Sequence, residues 1–446
     1  MNQGITFHSY LSRIGVIALL YLTLPILFSG WASATISSYL ASALCFYVLL
    51  LISIKLILKE KKYIKFYSVA FVVQLLIGLV HYLYFVDANY FQTNGDASGR
   101  FWHEYLSVFD AIDRLQDARR YWGIFYWMDE REFQVSHPEI WHIISWPFYY
   151  LSHRWLNYAP LNVFSSLLAS VNIMFLYKRE FKENKAIHNS VLFWTAFFPT
   201  FLLNDTVWRD PFGICLISVG VVLVALSKNL ASKVVSFVIF GFASFVQRTM
   251  YVLIAAVTAT WENIQKSRNV ALRIFYVAVG FVLLLYLSNL TDEANGAEYK
   301  AGYVNSMSYL ALPIKIIFGM IGPFPWTNFF RAVEMNPAFA WQLQDYIMGT
   351  FQFGYLLAII TKWQRFSFKN LNAITIMGFG IMLSGFISKQ MHIGYISEGL
   401  LFTLPWFFCC IGNGYRKYLR ISFITLIIIN VLLLFMGNMG IGSLWK

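Results

Sequence analysis

The sequence predicts an all-α, polytopic transmembrane helical bundle. Two observations predict it: apolar runs recur from Ile14 to Met436, and Lys and Arg collect in nearly every second gap between them. Hydrophobic residues make up 58% of the chain and charged residues 13%, too little polar surface to cover a soluble domain of 446 residues. In hydrocarbon every backbone group must be paired within its own segment. The runs lack the apolar/polar alternation of a barrel strand, so the spans are expected to be helices and an outer-membrane barrel is disfavoured.

The expected spans run from Ile14 to Phe28, Ile36 to Leu58, Phe66 to Val86, Pro160 to Tyr177, Val191 to Leu203, Pro211 to Leu226, Val234 to Val246, Tyr251 to Trp261, Ile274 to Leu290, Ala340 to Ile360, Ile374 to Ile387, Leu400 to Ile411 and Ile421 to Met436. That is about 13 crossings. Two shorter apolar stretches, Ile140 to Leu151 and Leu310 to Ile321, contain or adjoin Pro147, Pro313, Pro323 and Pro325 and begin and end in the same kind of gap. They read as re-entrant or interfacial segments, tolerable where protein or a wet cavity covers their backbone. With no long soluble stretch, no repeat and no low-complexity linker, residues 1–446 are expected to form a single integral membrane domain.

Charge sets the expected orientation. Basic clusters at Lys59, Lys61, Lys62 and Lys65; Lys178, Arg179, Lys182 and Lys185; Lys228 and Lys233; Lys266, Arg268 and Arg273; Lys362, Arg365 and Lys369; and Arg416, Lys417 and Arg420 mark the cytoplasmic side. The amino terminus is then inside. The remaining gaps, from Asp87 to Pro138, Asn204 to Asp210, Asp292 to Lys300 and Ser388 to Glu398, face outward. The net charge of +12 resides in juxtamembrane clusters and not in one soluble module, so no nucleic-acid partner is expected. Cys45, Cys215, Cys409 and Cys410 all lie in apolar runs, and His103, His137, His142 and His153 fit no ligand spacing, so neither disulfide nor metal nor cofactor is expected. The first apolar run has no small-residue cleavage site after it and reads as a retained signal anchor.

The outward loop at 88–138 carries an amphipathic helix. Phe101, Tyr105, Val108, Ile112 and Leu115 share one face, with Arg100, Glu104, Asp110, Asp113, Arg114 and Asp117 opposite. Such a helix lies on the membrane surface or caps the bundle.

Four outward places offer chemistry. Asp96, in Asn94-Gly95-Asp96, is either a general base for a sugar hydroxyl or an N-cap for the helix that follows. In the turn from Asn204 to Pro211, Asp210 suits a helix cap and Pro211 a first helical position, which leaves Asp205 and Arg209 without a structural task. Arg248 stands between two apolar runs with almost no loop between them; it either snorkels to headgroups or grips a phosphate with its planar fork. Finally, Trp326 ends Gly322-Pro323-Phe324-Pro325-Trp326, placed to stack on a sugar, while Lys389 and His392 add charge or a proton shuttle before Glu398.

The order of these features resembles a known group. The Gly95-Asp96 loop, Asn162 on a following helix, Phe198-Pro199 with the Arg209-Asp210 turn, the isolated Arg248, and the late Gly322-Pro323-Phe324-Pro325-Trp326 together look like the bacterial O-antigen and capsule repeat-unit polymerases and related GT-C-type glycosyltransferases. The resemblance implies a GT-C-like fold in the bacterial inner membrane, acting on its periplasmic face on a polyprenyl-diphosphate-linked oligosaccharide. It further implies no cofactor, a membrane-lipid environment, and room for a chain-length regulator protein as partner. Under it, Arg209, Arg248, Arg100 or Arg114 and Lys389 hold the diphosphate, Asp96 leads as base with His392 and Asp205 behind it, and Trp326 contacts sugar. The acidic loop follows the third expected span and not the first, which favours a polymerase over a transferase that moves one sugar from a polyprenyl phosphate. A transporter or flippase of lipid-linked glycans is the remaining alternative; transporters place charge mid-membrane and often repeat their halves, and this sequence does neither.

Overall fold

The computed structural model describes residues 5–28, 35–85, 158–181, 185–199, 210–247, 251–266, 339–366, 371–387 and 393–438, with isolated positions between 271 and 320. The elements described over these residues are helical: α1 (Phe7–Phe28), α2 (Thr35–Ile57), α3 (Lys61–Phe85), α4 (Tyr158–Glu180), α5 (Lys185–Ala196), α6 (Asp210–Leu226), α7 (Leu230–Gln247), α8 (Tyr251–Lys266), α9 (Phe339–Thr361), α10 (Ala373–Ile387), α11 (Ile393–Ile411) and α12 (Tyr415–Asn438). Among the described residues, four helices, α1 to α4, are long and apolar enough to cross a membrane, or up to five if the bent pair α11–α12 counts as one span. Shorter apolar helices include α6, α7, α8, α9 and α10.

The helices group into two compact units, the first holding Met1–Arg179, Thr195–Phe197 and Phe201–Gly280 and the second Glu180–Trp194, Phe198–Thr200 and Phe281–Lys446. In the first unit the usual order of burial is reversed. Leu19 (62% exposed), Leu27 (73%), Val238 (62%) and their neighbours on α1, α3 and α7 point outward, while Gln74, Asn162, Ser166, Ser170 and Asn172 are buried. Apolar surface outside and polar groups inside is the arrangement hydrocarbon solvent selects. Within it α4 is the axial helix: 94% of its most apolar stretch is buried, against 17% for α1.

One end of the first unit is basic. Arg13 Nη1 caps the last turn of α2 through Leu56 O at 2.6 Å, an interaction that suits a cation at a helix carboxyl end. Lys59 then turns the chain with φ 65°, a left-handed conformation of the kind that ends helices. The next residue, Glu60, pairs with Lys62 at 2.9 Å and with Lys178 at the end of α4. Arg179 Nη2 donates to Ala225 O at 3.2 Å, which brings the end of α6 to the same place. The clusters beginning at Lys59 and Lys178 and the α6 terminus before Lys228 therefore share one end. Burial raises the Glu60 carboxyl, but hydrogen bonds and charge from Lys178 and Lys62 outweigh it and hold the group below the ordinary 4.5.

The α6–α7 hairpin is closed by glycine. A Cβ on Gly220 would stand 2.9 Å from the Phe240 Cα, and one on Gly213, two turns earlier, would strike the Gln247 side chain, its Cδ at 2.5 Å. Gly213 opposite Gln247 and Gly220 opposite Phe240 define an antiparallel register, which Ser236 Oγ extends by donating to Leu223 O at 3.1 Å.

The second unit repeats the device in α10 and α11. A Cβ on Gly378 would meet Gly399 O and Thr403 Cγ2, each at 2.7 Å, so the two backbones touch. Tyr355 of α9 bonds the Thr403 hydroxyl at 2.9 Å and stacks on Phe407 with centroids 4.2 Å apart. After Ile411 the chain turns at Gly412, φ 65°, and α12 leaves at 115° to α11. Helix α12 then lies against α9, where Ser422 Oγ donates to Thr350 O at 2.7 Å.

Some boundaries differ from those hydropathy draws. The expected span from Val191 to Leu203 begins earlier, at Lys185, and its helix ends at Ala196 because Pro199 lacks an amide hydrogen and disfavours α geometry at Phe198. The outward gap expected to reach Glu398 is shorter, since α11 starts at Ile393 and encloses that residue. The amphipathic helix of 88–138, Ile140 to Leu151, and nearly all of the stretches from Leu310 to Ile321 and from Ile274 to Leu290 lie outside the described residues.

Two expectations follow. Gly378→Ala should cost about 1–3 kcal/mol through overpacking, read as a fall in melting temperature in detergent, whereas Gly241→Ala, with open space around it, should not. Glu60→Gln should cost less than about 1 kcal/mol at pH 7, because solvent screens a carboxyl that is 39% exposed. Since the folded pKa is depressed, that difference is fully present above 4.5 and should vanish as pH falls through the folded value.

Candidate functional site

Helix α4 carries hydrogen-bonding side chains on two faces. On one face Asn172 accepts from the Tyr10 hydroxyl of α1 and donates to Ser218 Oγ of α6, both at 2.9 Å, and Ser218 donates on to Cys215 O at 2.6 Å. On the other, Ser170 Oγ joins Tyr67 of α3 at 2.9 Å and Thr195 at 2.8 Å. One turn away Ser166 Oγ donates to Gln74 Oε1 at 3.4 Å, while Gln74 Nε2 donates to Ala196 O at 2.7 Å. Residues 166 and 170 are one turn apart and 172 is nearly opposite them, so a single helix ties α1, α3, α6 and the last turn of α5 together. These groups are neutral hydroxyls and amides, suited to holding helices in place and not to proton transfer.

The charged element lies at the opposite end of α6 from the basic cluster. Asp210 opens α6, only 4% exposed, and its Oδ1 accepts from Gln247 Nε2 of α7 at 2.6 Å. Gln247 is 0% exposed and lies over Gly213, where no side chain competes for the space. The α6 amino terminus favours a carboxylate through its free amides and dipole. Arg209 is bonded directly to Asp210 and Arg248 directly to Gln247. Both arginines are thus the immediate sequence neighbours of the residues that form this buried hydrogen bond between α6 and α7.

All the residues singled out from the sequence, Asp96, Arg100, Arg114, Asp205, Arg209, Arg248, Trp326, Lys389 and His392, lie outside the described residues. The structure places their neighbours: Asp210 and Gln247 as above, and the ends of α10 and α11, Ile387 and Ile393, between which Lys389 and His392 fall. Asp210 and Gln247, the sequence neighbours of Arg209 and Arg248, are joined by the hydrogen bond described above.

Sequence reading passed over several buried polar side chains. Gln247, Gln74 and Asn172 interrupt apolar runs, and that interruption was the available signal, since a polar group within a span needs a partner. Glu398, 1% exposed inside α11, is an acid enclosed in an apolar helix and not a member of an outward gap. Gln352 of α9 is fully buried, and neither of its amide atoms is hydrogen-bonded among the described residues. The chain matches no known protein family, no curated protein and no solved structure.

If the α4 network holds the first unit together, its members should differ in cost. Asn172→Leu strands the Tyr10 hydroxyl and removes the donor to Ser218, which keeps its own bond to Cys215 O, and should cost about 2 kcal/mol, while Ser218→Ala, which leaves Asn172 its Tyr10 bond, should cost about 1 kcal/mol or less. Melting of the two variants in one detergent ranks them; the reverse order would contradict the assignment.

Proposed function

We propose that this chain is a membrane glycosyltransferase that polymerises polyprenyl-diphosphate-linked oligosaccharide repeats at the periplasmic face of a bacterial inner membrane. The observation that supports the reading is the buried Asp210–Gln247 hydrogen bond, which joins the two helix ends that continue into Arg209 and Arg248. Two arginines next in sequence to paired helix ends suit a diphosphate, whose oxygens accept paired N–H bonds. In this reading the fold is GT-C-like with about 13 spans and its amino terminus cytoplasmic. The basic end of the first unit then lies in the cytoplasm, and Asp210 and Gln247 face the other way.

The chemistry asks little of the protein beyond positioning. The acceptor hydroxyl oxygen bonds to the anomeric carbon as the bond from that carbon to the diphosphate oxygen breaks, the electron pair leaving with the diphosphate. Arginine charge stabilises the departing anion. The hydroxyl proton passes to a carboxylate or imidazole, with Asp96 first and His392 and Asp205 behind it. Arg100 or Arg114 and Lys389 supplement the grip, and Trp326 stacks on sugar. A chain-length regulator protein is an additional partner in this reading.

Glu398 is the observation that favours a carrier of lipid-linked glycans, because an acid enclosed in a membrane helix is a common transport element. Purified protein supplied with a polyprenyl-diphosphate-linked repeat separates the readings: a ladder of longer glycans is expected. One added sugar would indicate the transferase, and substrate crossing a vesicle membrane without extension would indicate the carrier. Arg248→Ala should reduce extension at least 100-fold, a loss of the size that follows removal of a donor to developing charge, with protein abundance unchanged.

A further inference from the structure

We propose that the α2–α3 turn and the exposed face of α3 form a binding site for an anionic phospholipid, whose phosphate meets Lys55, Lys59, Lys61 and Lys65 and whose acyl chain lies along α3. The site is independent of the function proposed above, since it requires only that the first unit lies in a bilayer.

The basic side chains at this end of the unit do two kinds of work. Arg13 and Arg179 are spent on the carbonyls of Leu56 and Ala225, and Lys62 and Lys178 share Glu60 while lying 5.0 and 5.4 Å from the Tyr63 ring centroid. Lys55, Lys59, Lys61 and Lys65 are exposed and, among the described residues, make no ion pair. Four unpaired cations on one helical hairpin turn repel one another, and an anion between them is favoured. Lys59 adds a second signal. Among the described residues it is the one non-glycine with positive φ, at 65°, in a left-handed position where glycine relaxes the backbone and any other side chain costs local strain. What lysine contributes there is its charge.

The shape of the patch selects a lipid over a free phosphate. Lys61 and Lys65 are one turn apart on α3, and the same face continues through Val69, Val72, Leu76 and Val80, all exposed. From Lys65 to Leu76 is about 16 Å of helix rise, which matches the depth of one leaflet in a hydrocarbon core about 30 Å thick. A phosphate at the lysines therefore sets an attached acyl chain directly onto the apolar stripe. Juxtamembrane lysine clusters attract anionic headgroups in this way, each lysine strengthening binding about fivefold near the surface.

Native mass spectrometry of the full-length protein in detergent, with phosphatidylglycerol or phosphatidylcholine added at equal concentration, tests the site. Wild type is expected to bind phosphatidylglycerol about tenfold tighter or more. Lys59→Gly should lower phosphatidylglycerol affinity about fivefold, leave phosphatidylcholine unchanged, and melt no lower than wild type because the strain is relieved. The double variant Lys61→Gln with Lys65→Gln should lower it about 25-fold, and it carries the test should Lys59→Gly melt lower. Lys362→Gln removes an exposed charge from the second unit and should leave binding unchanged. Inorganic phosphate in excess should leave the lipid bound, since it cannot use the stripe. Equal binding of the two lipids by wild type would overturn the site, as would phosphatidylglycerol affinity unchanged in the double variant or lowered as much by Lys362→Gln. Displacement by inorganic phosphate would overturn the assignment of the occupant as a lipid.

Discussion

An asparagine or serine enclosed in a membrane bundle has no water to bond, so its position is decided by where another protein group can meet it. Asn172 reaches Tyr10 and Ser218, Ser170 reaches Tyr67 and Thr195, and Gln74 reaches Ser166 and Ala196. Each bond is modest in free energy, about 0.6 kcal/mol on average in a membrane protein. Leaving the same group unpaired in hydrocarbon costs several kcal/mol. That asymmetry makes α4 the helix the others are fitted to, and it explains why the least apolar-looking of the first four spans is the most buried.

Glycine supplies the second organising device, through the absence of a side chain. Apolar side chains gain little by leaving lipid for one another, so helix pairs are distinguished by how closely their backbones approach. Gly378 against Gly399 and Gly220 against Phe240 are approaches of that kind, and they set register as well as distance. Tyr355 can then meet Thr403, and Gln247 can meet Asp210, because both partners are delivered at the correct height. The polar bonds and the glycine notches therefore depend on one another within each unit.

Charge divides the first unit into two ends with different work. At one end Glu60 ties Lys62 and Lys178 together and Arg179 meets the α6 terminus. These are partly exposed contacts that screen readily and contribute orientation more than stability. At the other end Asp210 is withdrawn from solvent and bonded to an amide. A carboxyl group withdrawn from solvent depends on its hydrogen-bond partners far more than an exposed one does.

Much of the fold was legible in the sequence. The apolar runs from Ile36 to Leu58, Pro211 to Leu226 and Ile374 to Ile387 match α2, α6 and α10 to within a few residues, because hydropathy alone decides which stretches lipid accepts. Boundaries failed where a polar residue depressed an apolar run, as Glu398 hid the start of α11, or where proline ended a helix inside one, as after Ala196. Of the candidate site, the sequence marked Arg209 and Asp205 as charges without a structural task, and Arg248 as a cation that either snorkels to headgroups or grips a phosphate. It also supplied Asp210 as a helix start. What only the tertiary structure decided is that Asp210 and Gln247, distant along the chain, are the same hydrogen bond. A side chain's partner across two helices depends on their rotation and register, and those follow from Gly213 and Gly220 seating their neighbours, a property of the packed pair and not of either helix's own composition.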